Sequence, residues 1–129
     1  DNLTLKEKLD NADIEGINID TTSYVPVDMP GAVMNPAFEG EKCNGLLLTV
    51  TDPQTFHSVK FGIYLIHHIH EMHAEHFEWK SPRSPLIMLG NKETPDAIMA
   101  GELPGNIVQN WDQELEEFMK TRKKYLLYE

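Results

Sequence analysis

Apolar positions recur along the chain at two different spacings, and each spacing predicts an element. Leu5, Leu9 and Ala12 share one helical face. Thr4 followed by Glu7 reads as a capping box, so a short helix is predicted from Thr4 to near Gly16. From Ile17 the pattern alternates through Ile19, Thr21, Ser23 and Val25, with β-branched residues frequent. This predicts a strand half buried on one face, with Pro26 closing it or lying at its edge. "LLLTV", Leu46 to Val50, predicts a second strand with Leu46, Leu48 and Val50 inward. Between the strands, "PVDMPGAVMNPAFEGEKCNG" has three prolines, three glycines and no sustained period. It reads as a long loop, and loops beyond about 12 to 15 residues in compact domains are often functional.

The second half is helical in pattern. Asp52 as cap and Pro53 at the first helical position predict a helix running to about Glu75, with Val59, Gly62, Ile63, Ile66, Ile69 and Met72 as its apolar stripe. "SPRSP", Ser81 to Pro85, is a break, and "LIML", Leu86 to Leu89, fits a short strand or a helix start. Thr94-Pro95 caps a small helix ending near Gly101. From about Asn106 to Lys124 a last helix carries Ile107, Trp111, Leu115 and Phe118 on one row, which predicts that these four are core. The expected fold class is α+β: a small sheet with strands near 17–25 and 45–50, packed against a long helix (about 53–75) and a C-terminal helix (about 106–124). All of it forms one domain, 1–129, with no internal repeat.

Length and charge narrow the possibilities. A chain of 129 residues buries about two thirds of its unfolded surface, so it needs no metal or disulfide to fold. The net charge of −10 repels a phosphate backbone, and no nucleic-acid partner is expected. The apolar runs "GLLLTV" and "FGIYLI" are far short of a membrane span. The single cysteine, Cys43, has no internal disulfide partner and reads as a small buried thiol at a strand start rather than a nucleophile. "DNLTLKEKLD" lacks the profile of a signal peptide, which says little about secretion.

Chemistry is suggested first by "LIHHIHEMHAEHFEWK", where five of the six histidines fall within ten positions. Steps of three residues rotate His67, His70, His73 and His76 around the helix, so they do not converge on one ion. The spacing His70-Glu71-Met72-His73 is also one residue short of the HExxH of zinc peptidases. No physiological metal and no cofactor are expected, although nickel or zinc can bind adventitiously. Glu39 and Glu41 flank Gly40 in the long loop and read as solvated carboxylates. Trp79 and Trp111 read as core before they read as sugar-stacking platforms.

Three blocks then occur in order: "NPAFEGEKCNG" before "LLLTVTDP", "FGIYLIHHIHEMHAEHFEW", and "NWDQELEEFMKTRKKYLLY". In this order they run from Asn35 to Tyr128, and the chain resembles the C-terminal domain of the NamZ-type exo-β-N-acetylmuramidases. That family releases terminal N-acetylmuramic acid from the non-reducing end of peptidoglycan fragments. The resemblance implies a two-domain protein in which a larger N-terminal Rossmann-like domain holds the catalytic glutamate. Catalytic residues are then not expected in these 129 residues, and Glu39, Glu41, Glu71 and Glu75 do not replace the missing one.

The implied partners are that N-terminal domain of the same chain and a peptidoglycan-derived muramyl glycan, and the implied location is extracytoplasmic. An inter-domain cleft would be walled in part by the loop from Met29 to Cys43. Substrate contacts would come from Asn35, Phe38 and Glu39, with Lys42 or Arg83 facing the lactyl carboxylate. Asn35-Pro36 equally suits the start of a turn. Two alternatives stand beside this reading: a stand-alone carbohydrate- or protein-binding module, and a small metal-binding protein built on the histidine helix.

Overall fold

In the computed structural model, which describes residues 1–127 and gives Gln113 by its backbone alone, the chain opens with helix α1, Asn2–Asp10. Its cap is Asp1, whose carboxylate accepts from the Leu3 and Thr4 amides at 3.1 and 3.2 Å. The expected capping box is therefore replaced. Thr4 sits inside the first turn and donates its hydroxyl to the same carboxylate. The Asn2 side chain donates to the carbonyls of Thr22 and Gly45 at 3.2 and 3.0 Å, tying the helix to two strands.

Those strands are β1, Ile17–Tyr24, and β2, Cys43–Val50, paired antiparallel with Ile17 opposite Val50 and Tyr24 opposite Cys43. Leu9 and Ile19 are buried here. Leu48 and Val50 are exposed, contrary to the inward positions expected from alternation. The ribbon has α1 packed on it, and a single short helix covers only part of a two-stranded face. Cys43 is half-buried at the strand start rather than buried.

The turn before β1 is bonded to the segment that precedes the next helix. Gly16 has φ +75°, and its carbonyl accepts from the amides of Thr51 and Asp52 at 2.9 and 3.2 Å. Asp52 does cap a turn, its carboxylate accepting from the Gln54 amide at 2.8 Å. That turn ends after one cycle, however, and α2 is Ser58–Met72 rather than a helix from Pro53.

Two compact units result, Asp1–Phe61 and the residues from Gly62 on. In the second, α3 (Arg83–Leu89), α4 (Glu93–Met99) and α5 (Pro104–Lys123) follow α2. "LIML" is helical. Pro85 lies in the first turn of α3, where its missing N–H has no intrahelical partner to lose, so the expected break extends only to Pro82. Ile63, Ile98 and Ile107 form the buried core, with Ile66, Trp79, Leu89, Ala97 and Trp111 against it. The Trp111 indole donates to the Thr94 hydroxyl at 3.2 Å, so its polar end is satisfied.

The row expected to bury the last helix stops at Trp111. Leu115 and Phe118 are 55% and 60% exposed, because α3 and α4 are short and every described side chain of α5 from Asp112 on is open to solvent. The fold class is α+β, as the two periodicities predict. Tyr128, in the last of the three blocks, lies outside the described residues.

Candidate functional site

The loop between β1 and β2 is held by its own hydrogen bonds. Met29 and Val33 pair as an isolated bridge, with the Met29 amide donating to the Val33 carbonyl at 2.8 Å. The Asp28 carboxylate accepts from the Asn35 amide at 2.6 Å, and the Gly40 amide donates to the Pro26 carbonyl at 2.9 Å. Within this frame Asn35 has φ +51° and Phe38 has φ +60°. Asparagine tolerates that region, whereas for a bulky aromatic it is an outlier, and such conformations concentrate at ligand clamps. Phe38 nevertheless points its ring outward, at 67% exposure. Glu39 and Lys42 are exposed on the same loop. Arg83, the other candidate for a carboxylate partner, opens α3 in the second unit.

On α2 the histidines separate by environment. His70 stacks edge-on against Phe77, whereas His73 and His76 are exposed past the helix end. His67 is buried, and its Nδ1 has no hydrogen-bond partner among the described residues. Burial, and after it the neighbouring His68 imidazole, hold His67 below the usual histidine range, with Glu71 opposing them. His68 Nδ1 lies 3.2 Å from a Glu71 carboxylate oxygen. The spacing HHxxE, read as positions i, i+1 and i+4, would have identified this trio in the sequence. The series considered there, at steps of three, is not brought together.

A cleft of about 270 Å³ opens beside Trp111, lined by Asn91, Asn110, Glu93, Glu102 and Glu114 among others. Trp79 and Trp111 both pack on the isoleucine core, as expected.

The family model described as Exo-beta-N-acetylmuramidase NamZ, C-terminal, matches residues 1–128. The chain belongs to this family. It is also 33% identical over 124 residues to the Peptidoglycan beta-N-acetylmuramidase NamZ of Bacillus subtilis (strain 168), a match covering 96% of this chain and 28% of that protein. The chain thus spans less than a third of the length of its curated relative. No solved structure matches it significantly. As a NamZ C-terminal domain it presents Asn35, Phe38, Glu39 and Lys42 on one pinned loop. The sequence does not single out the anchor Asp28, which reads there only as part of the long loop. Among the described residues no helix is long and apolar enough to cross a membrane.

Proposed function

We propose that this chain is the accessory C-terminal domain of a peptidoglycan-directed exo-β-N-acetylmuramidase, and that its loop 29–43 forms part of the substrate cleft wall. The family match over residues 1–128 supports the first part. The observation that carries the second is the exposed Phe38, held at positive φ beside Asn35 in a hydrogen-bonded loop. An exposed aromatic face on a loop held in this way is available to stack on a sugar. The Asn35 amide adds a donor and an acceptor for an N-acetyl or hydroxyl group, Glu39 accepts from hydroxyls, and Lys42 faces a carboxylate.

The larger partner domain of the same chain supplies the catalytic glutamate in this reading. Glycoside cleavage needs two positioned carboxyl or equivalent groups, and the loop's role is to bind and orient the substrate. In the longer protein, Asn35→Ala and Phe38→Ala therefore raise KM or lower kcat/KM on a chromogenic N-acetylmuramide, while the 129-residue chain alone gives no turnover. Unchanged kinetics in both variants would remove the loop from the cleft. Turnover by the isolated chain would end the accessory-domain reading.

A second reading, carbohydrate binding by the chain on its own, is favoured by the Trp111 cleft with its amide and carboxylate lining. It requires saturable quenching of indole fluorescence by N-acetylmuramic acid in the isolated chain.

A further inference from the structure

His67 is 6% exposed, and its Nδ1 is both buried and unpartnered among the described residues. Buried polar atoms in native proteins are nearly always paired, so one that is not calls for a partner of another kind.

Two further donors lie beside it. One ligand atom from each of His67, His68 and Glu71 lies within 4.8 Å of the other two. Bonds of about 2 Å in a four-coordinate zinc site hold neighbouring donors about 3.3 Å apart. The 3.2 Å between His68 Nδ1 and the Glu71 carboxylate is already that of a bound pair. His67 is one helical turn from Glu71 and next to His68, and the two imidazole centroids are 5.2 Å apart. The His68 and Glu71 side chains are 15% and 51% exposed.

We propose that His67, His68 and Glu71 hold one divalent transition-metal ion, zinc by preference, with the fourth position open to water. Two imidazoles and a carboxylate are a donor set that zinc takes, whereas calcium and magnesium require an all-oxygen shell. The ion would give the buried His67 nitrogen its missing partner, independently of any sugar bound at the loop.

The untagged protein, stripped with a chelator, is titrated with Zn²⁺ against a chromogenic chelator and with Co²⁺ for its visible absorption. One equivalent is expected to bind, with the intense spectrum of tetrahedral cobalt and a thermal midpoint that rises with ion concentration. Glu71→Gln and His68→Ala, both away from the isoleucine core, should each weaken binding about tenfold or more. The double substitution His73→Ala with His76→Ala should change it less than about twofold. The absence of saturable one-to-one binding, or an equal loss in the His73 and His76 control, would overturn the site and leave only an adventitious histidine patch. Unchanged affinity in both Glu71→Gln and His68→Ala would overturn it equally.

Discussion

Gly16→Ala isolates one close approach in the first unit. Gly16 has φ +75°, and a Cβ built there lies 2.5 Å from the Asp52 carbonyl oxygen, 2.7 Å from the Thr55 hydroxyl and 2.8 Å from the Phe56 nitrogen. Two of these three atoms are backbone and cannot swing aside. The left-handed conformation alone costs a residue with Cβ about 1 to 2 kcal/mol. Forcing the turn at 52–56 outward adds about 1 to 3 kcal/mol, as overpacking does elsewhere. It also strains the bonds from Thr51 and Asp52 to the Gly16 carbonyl. The sum is about 2 to 5 kcal/mol.

Gly40→Ala is the control, because its φ is +78° but nothing lies within 4 Å of the added carbon. That substitution should cost only the conformational part, about 1 to 2 kcal/mol. The two variants are compared by chemical denaturation followed by far-UV circular dichroism and by hydrogen exchange at the Thr51 and Asp52 amides. Tryptophan fluorescence is unsuitable, since Trp79 and Trp111 both belong to the other unit. Equal losses in the two variants, or a Gly16→Ala loss below about 0.5 kcal/mol, would refute the steric argument.

Ile98→Ala removes a side chain at 0% exposure from the core of the second unit and should cost about 2 to 5 kcal/mol, read by tryptophan fluorescence during denaturation; a loss below about 1 kcal/mol would mean that this core is loosely packed. Asn2→Ala deletes the side-chain bonds to the Thr22 and Gly45 carbonyls and should cost about 1 to 3 kcal/mol, with faster exchange along α1 as the companion signal. An unchanged exchange pattern would show that α1 docks without it. Phe118→Ala, which the periodicity alone would price as a core truncation of about 3 to 5 kcal/mol, should stay within about 0.5 kcal/mol in this chain. A core-sized loss would contradict its exposure.

What was legible in the sequence was whatever depends on neighbours a few residues away. The alternation from Ile17 and the run at Leu46 locate both strands, and Pro104 starts α5 within two residues of the expected Asn106. Local signals misplaced helix starts by several residues. Asp52-Pro53 has a strong helix-start pattern, yet Asp52 caps only a single turn and the helix begins at Ser58. Thr4 has a capping hydroxyl, yet Asp1 caps the helix three residues earlier, through the Leu3 and Thr4 amides. The candidate site divides in the same way. The loop was visible from its length and composition, but its anchor at Asp28 and the positive φ of Phe38 depend on how the loop folds back.

Periodicity identifies an apolar face without identifying what covers it. Ile107 and Trp111 find their cover within the chain, whereas Leu115 and Phe118, on the same row, find none among the described residues. Leu48 and Val50 repeat the pattern on the ribbon. Exposed apolar rows continuous with a buried one fit a surface that another part of a longer protein covers. Under the proposed accessory role, the amphipathic pattern is correct for that longer protein and incomplete for the 129 residues alone. The neutral Phe118→Ala expected here should then become a destabilising substitution once the partner domain is present.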